Sequence, residues 1–496
     1  MSKDELQTNG DGQFLIAAVA RWLRLISGYQ LFIALCFTIT QTAHGQSRDA
    51  DLFKGPSVDL RHGRLKVSTN GRYLEHEDGT PFFWLGDTAW ELFHRLTRDE
   101  SDLYLEDRRS KGFTVIQAVV LADLEGLSVA NANGHTPLKN NDPSTPDEAY
   151  FKDVDYVVDR AESLGMFIGL LPTWGDKFNK KWGFGPEIFT PDNAKQFGRF
   201  LGQRYREKPI IWILGGDRIP ETKEHYAIIR AMAEGLAQGD ANSHLMTYHP
   251  WGETSSSQFF HNEQWLDFNM FQSGHVASDM PNYKYTQKDY DRIPIKPVID
   301  GEPRYEDHPV KWDPKNGWFN DFDVRQAAYW SMLSGAAGHT YGDNNIWQMY
   351  ASNREPLGHA RIYWSNALQH PGAIEMGYMR QLFEARPFEK LRPAQQLLAD
   401  NIKEDGSYQC AAVAGDSSYV IVYSPYGKTV SLLDEHVDHI DMGKAYWFNP
   451  RTGKSTTAEF KRLAGKIIYD PPGAETRGND WVLVVDSKRT TLKALP

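Results

Sequence analysis

The sequence predicts an α/β chain: a (β/α)₈ TIM barrel followed by a C-terminal all-β sandwich domain. Three observations carry this. Short apolar runs alternate with helical patterns eight times between residues 81 and 384, as parallel strands wrapped in helices do. Two of these runs, PIIWILGGD (209–217) and KPVIDGEPRYED (296–307), stop at Gly or Pro and deliver an acid, Asp217 or Glu302. Active sites of β/α barrels are built at the carboxyl ends of the strands. After Pro393 the pattern changes to short alternating runs broken by Gly, Pro, Asn and Asp, the signature of an antiparallel β module.

The 496 residues suffice for two domains. A formal net charge of −11 with no basic domain argues against nucleic acid as a partner. LFIALCFTIT (31–40), preceded by Arg21 and Arg24 and followed by Ala43-His44-Gly45, reads as an export signal over residues 1–45, cut before Gln46. Ten apolar residues are too few to span a bilayer. Counting back from Leu25 gives sixteen, so an uncleaved anchor is the alternative. The expected destination is the periplasm or the cell exterior, with no stable membrane insertion after cleavage. A linker (46–63), a barrel with an N-terminal hairpin (64–392) and the sandwich (393–496) follow. Of the two cysteines, Cys36 falls in the leader and Cys410 in YQCAAVAG. No disulfide is expected, and Cys410 reads as a small core residue.

The elements run as follows. RLKVS and RYLEHE, joined by Thr69-Asn70-Gly71, form a hairpin. PFFWLGDTAW (81–90) is strand one, and Thr97 to Lys111 is a helix opened by a Thr-x-x-Glu capping box. Strand two is Phe113 to Val120, followed by a long loop and a helix from Ala149 to Leu164. Strand three is Met166 to Leu171, and its loop carries Trp174, Lys177, Lys180, Lys181 and Trp182. Thr190 caps a helix with Pro191 at its first position. Strand four is Ile210 to Leu214, then a helix from Thr222 to Gln238. Strands five and six are Leu245 to Tyr248 and Phe268 to Phe271, and a helix near Gln287 leads to strand seven at 296–300. Helix Val324 to Ser334, strand Gly338 to Tyr341 and helix Ile374 to Glu384 close the ring.

Candidate site residues fall just after strands: Asp87, Gln117, Asp123, Asp217, His249, His275, Glu302 and Asp343. Any β/α fold also places merely structural polar residues there. Asp217 and Glu302 are 85 residues apart (302 minus 217). At roughly thirty residues per unit that is three units, so the pair comes from the fourth and seventh strands. Such a pair suits glycoside hydrolysis, in which one acid protonates the departing oxygen and the other stabilises or attacks the oxocarbenium-like centre. Trp174, Trp182, Trp251 and Trp347 can stack on sugar faces or simply pack. Arg218 and Arg304 directly follow the two acids. Either they pair with neighbouring carboxylates, or one grips a uronate beside the cleaved bond.

A metal-dependent hydrolase would want His-x-His after strand one, where the chain has Gly86-Asp87. No metal and no cofactor is expected, and Gly215-Gly216 lacks the Lys of a phosphate loop. A carbohydrate- or matrix-binding barrel without turnover is the other alternative, against which the retained carboxylate pair argues.

The run NGRYLEHEDGTPFFWLGDTAWELF, the GGD at 215–217, DGEPRYE at 300–306, and the terminal WFNPRTG and DWVLVVD resemble a bacterial family of secreted (β/α)₈ glycoside hydrolases. That family includes the apiosidases acting on rhamnogalacturonan II. The terminal module resembles one named for collagen binding. The resemblance implies a retaining arrangement with Asp217 as acid/base and Glu302 as nucleophile, acting on a side-chain sugar of plant pectin. The broader barrel clan carries Asn-Glu at the strand-four position, where this chain has Gly216-Asp217.

Overall fold

The computed structural model describes residues 53–399, 403–437, 440–489, 492 and 495. The expected leader, residues 1–45, lies outside the described residues. Residues 53–63 are not a free linker. Phe53 is buried, and the Ser57 hydroxyl donates to Glu384 (2.6 Å) and accepts from the Phe83 amide (2.9 Å), tying the segment to the barrel.

A small antiparallel sheet comes first: β1 (Leu65–Val67), β2 (Leu74–His76) and β3 (Pro81–Phe82). The run read as one strand, 81–90, is therefore two. Its first residues pair with the hairpin, and β4 (Trp84–Thr88) enters the barrel. There follow β5 (Val115–Leu121), β6 (Phe167–Thr173), β7 (Ile210–Gly215), β8 (Met246–His249), a short β9 (Thr254–Ser255), β10 (Asn269–Gln272), β11 (Val298–Asp300) and β12 (Gly338–Tyr341). Eight of these are parallel neighbours in the order β8-β7-β6-β5-β4-β12-β11-β10, and β9 runs antiparallel to β10. The seam between β8 and β10 is spanned by the Asp267 amide on the Met246 carbonyl (2.9 Å) and by the Thr247 hydroxyl on the Phe268 carbonyl (2.7 Å).

Strand alternation builds two cores at once. Val115, Val119, Ile211, Ile213 and Ile299 point into the barrel. Ile116, Ala118, Ile210, Trp212 and Leu214 point out to the helices. Because both faces are buried, the strands read as continuous apolar runs. Both sequence-expected caps form: Thr97 with Glu100, and Thr190 with Asn193.

The C-terminal region comprises β13 (Leu391–Pro393), β14 (Cys410–Ala414), β15 (Tyr419–Ser424), β16 (Val430–Leu433), β17 (Met442–Asn449), β18 (Lys454–Thr457), β19 (Phe460–Leu463), β20 (Lys466–Tyr469) and β21 (Trp481–Ser487). They form two antiparallel sheets, β13-β14-β15-β21-β17-β18 and β16-β20-β19. Val420, Val422, Trp447 and Leu483 meet Val430, Leu432 and Ile467 between them, which makes a sandwich. The other face of the larger sheet packs on barrel helices Asp321–Leu333 and Pro371–Glu384, with Cys410, Ile421 and Val484 in the shared core. Among the described residues no helix is long and apolar enough to cross a membrane.

Candidate active site

Asp217 is positioned by a turn that only glycine allows. Gly215 and Gly216 have φ of 91° and 100°, and Asp217 itself has φ of 53°. A Cβ on Gly215 would sit 2.4 Å from the His249 carbonyl oxygen, and one on Gly216 2.9 Å from the Trp174 ring. Three consecutive left-handed residues, tolerable for Gly and for a short side chain such as Asp, swing the carboxyl over the strand ends. Arg218 holds it there, its Nη1 donating to the Asp217 carbonyl (2.7 Å) and to Oδ2 (3.1 Å).

Glu302 follows β11 by two residues. The Gln117 amide donates to the Gly301 carbonyl at 2.9 Å, fixing the peptide that carries it. His275 Nε2 lies 3.2 Å from one carboxylate oxygen of Glu302, and His249 Nε2 lies 3.2 Å from the other. The second contact lacks the alignment of a full hydrogen bond. His249 Nδ1 accepts the Asp217 amide at 3.3 Å, so in the neutral ring the proton sits on Nε2, facing Glu302.

The two carboxyls are biased in opposite directions. Burial, and then the negative charge of Glu302, raise the Asp217 pKa. Burial also works against ionisation of Glu302, but His249 and His275 outweigh it and hold that carboxyl below its ordinary value. The Asp217 side chain is 25 % exposed and that of Glu302 is 9 %. One acid therefore favours a proton and meets solvent, while the other favours its charge and is sheltered.

Both face a cleft of about 880 Å³ walled by Trp90, Trp174, Trp182, Trp251, Trp312 and Trp347. Trp182 stacks on Trp251 at 5.4 Å between centroids, and the Arg218 guanidinium lies 4.4 Å from the Trp182 ring. An open, indole-lined cleft with two differently biased acids at its floor is equipped to hold a sugar and transfer a proton to its glycosidic oxygen.

A family model described as the apiosidase-like catalytic domain matches residues 68–390. The chain belongs to the apiosidase-like glycoside hydrolases. A second model, of a domain named for collagen binding in a collagenase, matches residues 392–486. A solved structure described as a glycoside hydrolase is 33 % identical over 87 % of this chain and 98 % of its own, with a TM-score of 0.80. A glycoside hydrolase family 5 structure from Bacteroides vulgatus ATCC 8482 is 31 % identical over 88 % of this chain and 97 % of its own, with a TM-score of 0.79. No curated protein matches the chain.

In this apiosidase-like glycoside hydrolase Asp123, Trp174, Trp251 and His275 line the cleft together with Asp217 and Glu302. Burial, and then the nearby Asp176 carboxyl, raise the Asp123 pKa. His249 stands directly behind Glu302. The other residues expected to touch substrate do not reach the cleft wall. Asp87 is fully buried on the helix side of β4, where it takes Tyr104 OH and Arg108 Nε at 2.5 Å each. Gln117 lies inside the barrel beneath Gly301. Arg304 is buried, donating to Gln326 (2.9 Å) and to the Ser278 carbonyl, and Arg218 is spent on Asp217 and its loop. Lys177 is buried against Asp176 at 2.7 Å, and Lys181 pairs with Glu221. These four cations are thus engaged within the fold, and none of them lines the cleft.

Asp343 also points away from the cleft. It meets His370 at 2.5 Å, and with Glu306 these donors lie within 4.8 Å of one another. Their oxygens are already engaged, since Glu306 accepts from Tyr341 OH (2.7 Å) and the Gly372 amide (3.0 Å). The cluster is a hydrogen-bonded brace behind the strand ends.

Sequence reasoning passed over Trp90, Tyr305, His308 and Trp312, all on the cleft wall. His308 stacks on His275 at 4.4 Å. Burial, and then His275, push its pKa down to about 2, so it is a neutral ring at working pH. Tyr305 and His308 sit three and six residues beyond Glu302, the one clue that the sequence offers.

Proposed function

We propose that this glycoside hydrolase removes a side-chain sugar from a plant pectic polysaccharide, apiosidase-like, by a retaining mechanism. The observation that carries the reading is the shared geometry of His249 with both acids: it accepts the Asp217 amide on one nitrogen and faces Glu302 with the other. Glu302, kept ionised by its two imidazoles, attacks the anomeric carbon. Asp217, kept protonated by burial and by Glu302, donates its proton to the departing oxygen. The bond to the leaving group breaks as the glycosyl-enzyme bond forms. Asp217 is then ionised, takes a proton from water, and that water releases the sugar from Glu302 with net retention.

Export through the 1–45 leader suits a polymer that cannot enter the cell, and the tryptophan walls suit sugar faces. The test is incubation with rhamnogalacturonan II fragments, with NMR of the first-formed product. Release of a single branch sugar with retained anomeric configuration supports the proposal. Inverted product refutes the mechanism, and no release from pectic fragments refutes the substrate class.

A further inference from the structure

A second cavity of about 810 Å³ adjoins the catalytic cleft, and Leu124, Phe184 and Leu357 line both. These three apolar side chains form a saddle between the two spaces, over which an extended ligand can pass. The second space is walled by α1 (Leu92–Arg95), the loop after β5 and the loop around 351–357.

Its charges are unevenly neutralised. Glu100 is bound to the Thr97 amide and hydroxyl at 2.9 and 3.0 Å. Glu125 and Glu355 are exposed at the rim, where water screens them. Arg95 is 15 % exposed and stands 3.7 Å from the buried Glu91, which also holds His94 at 2.8 Å. Arg354 is half-buried, and its hydrogen bonds go to two carbonyls, those of Met349 and Arg95. Among the described residues no carboxylate lies within ion-pair reach of it. Burial, and then the nearby Arg95 charge, work against its ionised form, while Glu100 and Glu91 favour it from beyond ion-pair distance. A guanidinium beside a second arginine, in a cavity and with no carboxylate in contact among the described residues, is a site for an oxyanion, which its planar fork holds in two-point fashion.

We propose that this second cavity is a subsite for an anionic sugar of the polymer that carries the cleaved residue, with Arg354 and Arg95 holding its carboxylate or sulfate oxygens. The proposal rests on the reading of the adjoining cleft as a glycoside-binding site. It moves the anion contact away from Arg218 and Arg304, which the fold uses as struts.

The experiment uses the full chain as Glu302→Gln, so that probes bind without turnover. Trigalacturonic acid, its carboxyl-reduced counterpart and a sulfated neutral trisaccharide are titrated calorimetrically. The expected result is that an acidic probe binds at least about tenfold more tightly than the reduced one, as a hydrogen-bonded charge pair warrants, and loses affinity as salt rises. The preferred acidic probe tells carboxylate from sulfate. Adding Arg354→Gln should erase most of the preference, whereas Arg354→Lys should keep part of it. Equal binding of acidic and reduced probes, no binding of either acidic probe, or full retention in a folded Arg354→Gln protein overturns the proposal. If Arg354→Gln does not fold, the comparison of acidic with reduced probes on the parent decides alone. Failure of wild-type enzyme to cleave pectic fragments would sink the proposed function and leave this binding result standing, while charge-blind binding would do the reverse.

Discussion

His249 faces Glu302 with its Nε2 3.2 Å from Oε2 while its Nδ1 accepts the Asp217 amide at 3.3 Å. One imidazole therefore helps to place both acids, and it favours the ionised form of each, that of Glu302 by contact and that of Asp217 through charge alone. His249→Ala should cut kcat/KM by up to about tenfold, the value of the hydrogen bond by which its ring accepts the Asp217 amide. It should also shift the pH profile. Glu302 must be ionised to act, and the imidazoles hold its pKa down. Removing one lets that pKa rise, so the acid limb of kcat/KM moves to higher pH. An unmoved acid limb would show that His249 only packs.

Replacing either acid tests the pair directly. Asp217→Asn and Glu302→Gln should each lower kcat by about 10²- to 10⁴-fold with melting temperature little changed, because neither side chain belongs to the apolar barrel layers. In Glu302→Gln the Asp217 pKa should fall, since part of its elevation comes from the Glu302 charge. Carboxyl NMR titration reads that shift. A loss below about tenfold in either variant would remove that residue from the mechanism.

Much of the architecture was written in apolar runs long enough to declare both faces of each strand buried, and in caps such as Thr97 that set helix starts. The site was harder because a strand-end acid can point to the mouth or to the helices. Trp84 faces the barrel interior and Leu85 the helices. By the two-residue period of a strand, Asp87 therefore shares the outer face of Leu85, and Asp343 continues that of Tyr341. Gln117 shares the inner face of Val115 and Val119, which carries it beneath the site. Glu302 breaks such phasing at Gly301, where a Cβ would come within 2.6 Å of Met270. Trp312 and His308 sit on a loop whose course no periodicity encodes.

The GGD turn should be intolerant of any side chain. Gly216→Ala places a methyl 2.9 Å from the Trp174 ring at φ of 100°, a backbone strain of roughly 1–3 kcal/mol. Relief requires moving either Trp174 or Asp217, so kcat should fall along with stability. Thermal melts and kinetics on one preparation check this, and full activity with an unchanged melt would contradict the turn's role.

The barrel and the sandwich are joined by a buried ion pair. Arg325 donates from Nε and Nη2 to the two oxygens of Asp480, both at 3.0 Å, and from Nη1 to Glu375 at 2.6 Å. Arg325 is 1 % exposed and Asp480 is fully buried. Arg325→Ala takes the cation from buried Glu375 and leaves Asp480 to Arg451 (2.9 Å) and the Tyr423 hydroxyl (3.1 Å), and should destabilise the chain by up to about 3 kcal/mol, read as a shift of the denaturant midpoint. A change below about 1 kcal/mol would mean that this ion pair adds little to the contact between the domains.

Arg218 offers a last test, because its two readings predict opposite kinetic signatures. As a strut it donates to the Asp217 carbonyl and carboxyl, and it lies 4.4 Å from the Trp182 ring. Its charge lowers the Asp217 pKa, opposing burial and Glu302. In Arg218→Met that opposition is gone, so the Asp217 pKa rises further. Asp217 must be protonated to donate, and activity is lost as pH rises through its pKa. The alkaline limb of kcat/KM should accordingly move to higher pH, while looser placement of the acid lowers kcat at the optimum. KM should change equally for acidic and carboxyl-reduced substrates, since the guanidinium does not line the cleft. A KM increase confined to the acidic substrate, with the alkaline limb unmoved, would instead make Arg218 a substrate contact.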